Sequence, residues 1–299
     1  MKNTKRVLAI LLAAVLMLSL TGCSASDYKA AGKLFESGDY AAAAEKYAAL
    51  GDYEDAADLA TDCAYKQAEA IFESGDYAGA IEAFLKIEDY KDSGDYITRA
   101  REAIIRASVL GEWKCVYSLD EDFATAFAEG LTESSGLDPA DYFSFSDIEA
   151  LFTLVLNDDD TYTLDVDKEA FAPVLDRVCE ELKVGINKMM EDLIASQAAE
   201  NGLEVDSLLA LLGVADVQEF VDSIFETGYG MTMDEMLDQT MAASGELMFK
   251  ELPITGTFSV SGTTVTLSDA GDAEYNVVNE LLTLSDGLNE SIGELVFTR

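Results

Sequence analysis

The chain has 299 residues, 49% of them hydrophobic, and sets 19 basic against 58 acidic side chains for a net charge of −39. That length allows one or two domains with full cores, and that charge excludes nucleic acid as a partner, because phosphate binding needs clustered Lys and Arg. Histidine is absent, which excludes Ser-His-Asp and Cys-His catalysis and every zinc site built on imidazole. The acidity is uneven: residues 24–108 hold nine bases and 18 acids, residues 109–299 seven bases and 40 acids. Two differently composed domains, at 27–108 and 109–299, are the simplest explanation.

Lys2, Lys5 and Arg6 precede an apolar run from Val7 to Leu20. Fourteen residues at ~1.5 Å each make about 21 Å of helix, short of the ~30 Å hydrocarbon core. Residues 1–22 therefore read as a secretory signal peptide rather than a membrane span. The stretch Leu20-Thr21-Gly22-Cys23 that follows resembles the bacterial lipobox. The resemblance implies cleavage before Cys23 and a lipid on its sulfur, diacylglyceryl with palmitate-type chains. Residues 23–26 then tether an extracytoplasmic lipoprotein to the cell membrane. Two or three acyl chains, at ~0.8 kcal/mol per buried methylene, hold a protein stably where one does not. The competing reading is an ordinary cleaved signal in which Cys23 is incidental.

Phe-Glu-Ser-Gly-Asp-Tyr occupies residues 35–40 and again 72–77, a period of 37 that marks a helical repeat. In each copy the glycine suits the left-handed end of one helix and the aspartate the N-cap of the next. After the turns, Ala43, Tyr47 and Leu50, then Ala80, Phe84 and Ile87, share one helical face. A terminal helix is expected at about 91–108. The pattern resembles the tetratricopeptide repeat, whose usual period is about 34. The resemblance implies paired helices and, in longer arrays, a concave peptide groove. Two units read first as a spacer or scaffold. Tyr40, Tyr53, Tyr77 and Tyr90 read as packing between helices.

From Gly111 the hydrophobic period changes to two. Strands are expected at 111–119, twice within 150–167, as a hairpin over 254–269 turning at Ser261-Gly262, twice within 273–286, and at 292–299. Such a meander can close into an eight-stranded antiparallel barrel. Gly111-Glu112-Trp113 at its head resembles the Gly-x-Trp of lipocalins, with Asp160-Thr161-Tyr162 as a turn-Thr-Tyr hairpin. That resemblance implies a tryptophan plugging one barrel end and a ligand site inside, against the alternative of a packed interior.

An insertion at about 168–250 separates the third and fourth strands. Phe171, Leu175, Val178, Leu182, Ile186, Met189 and Leu193 predict a long amphipathic helix with Pro173 in its first turn. Helices follow at 204–213, at 216–227 and at 232–244, the last opened by a Thr232 to Glu235 capping box. The insertion reads as a layer over the barrel or as a lid on a ligand cavity, its methionines at core positions. Asn157-Asp158-Asp159-Asp160 fits a hairpin turn rather than a calcium loop. Cys63, Cys115 and Cys179 read as buried free thiols.

The expected fold is thus α+β, with N-terminal helical repeats followed by a lipocalin-like barrel carrying a helical insertion. No catalytic, metal or cofactor residue stands out. The expected function is non-enzymatic binding of a small apolar or cationic ligand through the β-domain and insertion. The alternative is a protein-interaction scaffold at the cell envelope that uses the repeats and the acidic surface. A barrel void of several hundred cubic ångströms would favour the first.

Overall fold

A computed structural model describes residues 24–125, 138–286, 288 and 292–299; residues 1–22, expected to be a signal peptide, and Cys23 lie outside them. The chain divides into two compact units between Ser108 and Val109. The first unit is helical: α1 (24–36), α2 (Tyr40–Ala49), α3 (Ala56–Glu73), α4 (Tyr77–Leu85) and α5 (Ser93–Val109).

The repeated sequence becomes repeated geometry in this unit. Gly38 and Gly75 take φ of 82° and 84°, a left-handed backbone that costs glycine little. Asp39 and Asp76 then cap α2 and α4, accepting from the backbone N–H of Ala42 at 3.2 Å and of Gly79 at 2.9 Å. Phe35 meets Tyr40, and Phe72 meets Tyr77, edge to face at 5.4 and 5.3 Å. The Tyr28 hydroxyl donates to Asp55, and one period later the Tyr65 hydroxyl donates to Asp92. Ala31, Ala43, Ala68 and Ala80 are fully buried, so the helices approach closely. The copies differ at one turn. Lys91 pairs with Asp62 and stands 4.7 and 5.0 Å from the rings of Tyr65 and Tyr90, whereas Glu54 occupies the same left-handed position in the first copy.

The second unit runs β1 (Gly111–Ser118), α6 (120–125), β2 (Glu149–Leu156), β3 (Thr161–Val166), α7 (Lys168–Glu200), α8 (Val205–Leu212), α9 (Val217–Tyr229) and α10 (Met233–Met248). It ends with β4 (Ile254–Ser261), β5 (Thr264–Leu267), β6 (Gly271–Asn276), β7 (Leu281–Leu284) and β8 (Leu295–Phe297). Every strand pairs antiparallel with the next in chain order. Lys114 of β1 and Thr298 beside β8 then exchange two backbone hydrogen bonds of 2.8 Å, so the sheet nearly closes into a barrel. Closure leaves few unpaired strand edges for other chains.

Alternate residues point inward, and they are large. Trp113, Phe152, Leu164, Leu282 and Phe297 are all inaccessible to solvent. Trp113 on β1 meets Tyr275 on β6 edge to face at 6.0 Å, a contact that spans the barrel. The interior is therefore packed, and the barrel fits the lipocalin-like expectation only loosely. Trp113 is secured at one end: its Nε1 donates to Val109 O at 2.7 Å, and the Arg299 guanidinium lies 4.7 Å from its ring while donating to Leu110 O at 2.8 Å.

The insertion enters between β3 and β4 as expected. The position of Pro173 is a correction: α7 begins at Lys168 with Asp167 as its N-cap, so Pro173 lies in the second turn. There it cannot supply the N–H that the Glu169 carbonyl would otherwise receive. The buried stripe also drifts, with Cys179, Gly185 and Ile194 inside and Ile186 and Leu193 only half-buried. The turn at 157–160 is tied internally, Asp159 accepting from the Thr161 N–H at 3.1 Å and its hydroxyl at 2.6 Å.

Trp113 is the only tryptophan, so its fluorescence reports barrel unfolding specifically. Arg299→Ala removes a stacked cation and a hydrogen bond, and should lower barrel stability by about 1–2 kcal/mol in urea titrations followed by that emission. The repeat unit should be acid-sensitive for a separate reason. The Tyr65 hydroxyl holds the Asp92 carboxyl below its ordinary value of 3.8. A depressed folded-state pKa contributes stability above 3.8 that is lost as pH falls through the folded value. Asp92→Asn should therefore flatten the acid limb of helix loss measured by circular dichroism.

Candidate functional site

Among the described residues, the insertion contains a cleft. It lies between α7 and α10, which offer matching faces at helical spacing: Lys168, Phe171, Ala172, Leu175, Asp176 and Cys179 from one, and Asp238, Met241, Ala242, Gly245 and Glu246, with Phe249 just beyond, from the other. Both helices begin under local control. The Asp167 carboxylate accepts from Ala170 N at 2.8 Å to start α7. The expected capping box starts α10, with Glu235 N donating to Thr232 Oγ1 at 3.2 Å and Thr232 N donating to Glu235 Oε2 at 3.1 Å. Between these starts, small residues at facing positions (Ala172, Ala242 and Gly245) leave a volume of about 340 Å³. This falls at the lower end of the ~300–1,000 Å³ common for small-molecule sites.

The cleft floor is apolar and rigidly supported. Phe171, Leu175, Met241 and Phe249 are buried. Phe171 packs edge to face on Phe249 at 5.1 Å, and Phe249 does the same on Phe152 of β2 at 5.9 Å. The floor is thus continuous with the barrel core. Gly245 sits where a Cβ would run into the Leu175 side chain, which explains a glycine in the last turn of α10 despite its cost to a helix.

Polar groups at the cleft are mostly engaged with each other. The Cys179 thiol donates to Asp238 Oδ1 at 3.3 Å, and the Lys183 ammonium bridges Glu180 at 2.9 Å and Asp238 at 3.0 Å. The hydrogen bond from Lys183 holds the Asp238 carboxyl below its usual range, and those to Glu180 and Asp238 hold Lys183 above its own. Burial, followed by the bond to Asp238, pushes the Cys179 thiol up to about 11. A thiol of that acidity is protonated at neutral pH and is a poor nucleophile, and a lysine so stabilised in its charged form is a poor base. The Lys168 ammonium donates to Leu252 O at 2.9 Å, tying α7 to the segment that leads into β4.

Cys63, Cys115 and Cys179 are free, buried and on three separate elements, as the sequence reading expects. Cys23, the one site residue predicted from the sequence, lies outside the described residues. Among the described residues, no group of His, Cys, Asp and Glu is placed to hold a metal ion, and no helix is long and apolar enough to cross a membrane. The helical unit has its own shallow feature, two depressions of about 310 Å³ that share Gln67 and Ile71 on α3.

The cleft was foreshadowed in the sequence only by small residues, Ala172, Ala242 and Gly245, on the inward faces of two long helices. Nothing local says that those faces meet. Compared with known proteins, the chain matches no family model, no curated protein and no solved structure.

The weakened acidity of these thiols and their burial have a direct readout. Iodoacetamide at neutral pH should leave Cys63, Cys115 and Cys179 unmodified in the folded protein and alkylate all three in urea, as counted by peptide mass analysis.

Proposed function

We propose that the chain is an extracytoplasmic lipoprotein, anchored through lipid on Cys23, that binds a small molecule in the cleft between α7 and α10 without transforming it. The cleft is the observation that carries this reading: about 340 Å³, floored by buried Phe171, Leu175, Met241 and Phe249 and open between two helices. Of its polar groups, Asp238, Lys183 and Cys179 are bound to one another, and Asp176 and Glu246 stand exposed at its rim. What remains resembles a receptacle more than a reaction centre.

The anchoring part draws support from Lys2, Lys5 and Arg6, the short apolar run to Leu20, and the lipobox-like Leu20-Thr21-Gly22-Cys23. A strongly anionic body is repelled by anionic headgroups, so covalent lipid is the economical means of keeping it at a membrane surface.

A second reading, a protein-interaction scaffold at the envelope, is favoured by the paired depressions along α3. Gln67 and Ile71 lie at their common centre, with Tyr40 and Ala41 on one side and Gly79 and Glu82 on the other.

Two measurements test the proposal. Expressed in a bacterial host, the wild-type protein should fractionate with membranes and begin at a lipid-modified Cys23, while Cys23→Ser should lose the lipid and leave the membrane fraction. Neutral N-phenylnaphthylamine should gain fluorescence on binding the cleft, and Ala242→Leu, which fills it from an exposed position, should weaken that binding by about tenfold or more. Retained affinity in Ala242→Leu would remove the cleft as the site.

A further inference from the structure

The cleft's apolar floor accounts for part of its surface; its walls are acidic. Asp176 comes from α7 and Asp238 and Glu246 from α10, against Lys168 alone among the lining bases. These charges are not equivalent. Asp238 is matched by Lys183, and Lys168 is turned to Leu252 O. Asp176 and Glu246 take part in no ion pair or side-chain hydrogen bond among the described residues, and both are exposed at the cleft rim.

The bases nearby in sequence do not relieve them. Arg177, next to Asp176, is drawn to Glu181 at 3.0 Å and to Asp147 O at 2.8 Å. Lys183 is held between Glu180 and Asp238. Lys250, one turn beyond Glu246, pairs with no carboxylate among the described residues and does not line the cleft. Two carboxylates on opposite walls of an apolar-floored groove therefore face it without a counter-charge. Two like charges so placed draw a cation to the groove, and the apolar floor can then hold the hydrocarbon part of the same molecule.

We propose that the ligand of this cleft is an apolar molecule carrying one positive charge, of the alkyl- or arylammonium class. Its ammonium sits between Asp176 and Glu246, and its apolar body lies over Leu175, Met241 and Phe249. The inference rests on the cleft being the binding site, and it adds the sign of the ligand. A neutral ligand leaves both carboxylates unmatched, and an anionic one is repelled by them. Size agrees with charge here: a volume of about 340 Å³ admits one short chain or ring system rather than a peptide.

The experiment is displacement of N-phenylnaphthylamine from the full chain by three probes of equal chain length: octylammonium, octanol and octyl sulfate. Octylammonium should displace the dye at about a tenfold lower concentration than octanol, and octyl sulfate should be the weakest. Asp176→Asn with Glu246→Gln should erase the difference between octylammonium and octanol while leaving octanol unchanged. Asp206→Asn with Glu226→Gln removes the same charge from exposed positions on α8 and α9, and should preserve it. Should octanol match octylammonium in the wild type, or both double variants behave alike, the ammonium assignment fails while the cleft stands. Should Ala242→Leu bind the dye as wild type does, the cleft itself fails.

Discussion

Two backbone hydrogen bonds between Lys114 and Thr298 decide what the rest of the second unit can be. They bring the last strand back to the first and convert a meander of short strands into a nearly closed barrel. Closure turns one residue in two toward a common axis, and those residues are bulky enough to meet across it, as Trp113 and Tyr275 do. Arg299 locks the same end by lying on the Trp113 ring and bonding to Leu110 O. With the interior occupied by side chains, the barrel serves as a foundation. The cleft described above lies in the insertion.

The insertion solves the opposite packing problem. α7 and α10 approach each other at one level through Cys179, Lys183 and Asp238, a hydrogen-bonded and ion-paired cluster that fastens the helices. At the next level Leu175 of α7 packs into the space left by Gly245 of α10, and the small side chains of Ala172 and Ala242 leave a cleft open above a floor of aromatic and aliphatic groups. Close-packed interiors have little tolerance for such gaps, because each lost contact forfeits dispersion and burial energy.

The helical unit follows a different logic, in which one solution is used twice. Tyr28 to Asp55 and Tyr65 to Asp92 are the same bond one period apart, and the glycine turns and aspartate caps recur with them. Repetition makes the differences informative. Lys91 supplies a cation to its tyrosines in the second copy, and Glu54 supplies none in the first, so the two ends of the array are chemically distinct.

Much of this architecture was legible in the residues because it depends on near neighbours in sequence. Alternation of Trp113 and Cys115, the Thr232 to Glu235 capping box and the copied Phe-Glu-Ser-Gly-Asp-Tyr each determine local backbone from side chains a few positions apart. Pro173 was misplaced by one turn because the Asp167 cap, a competing local signal, starts α7 earlier. The tertiary structure alone decided that Trp113 meets Tyr275 inside the barrel, that Arg299 lies over Trp113, and that Leu175 of α7 meets Gly245 of α10. Those outcomes depend on which faces meet across dozens of intervening residues, and a void is a property of the meeting rather than of either helix.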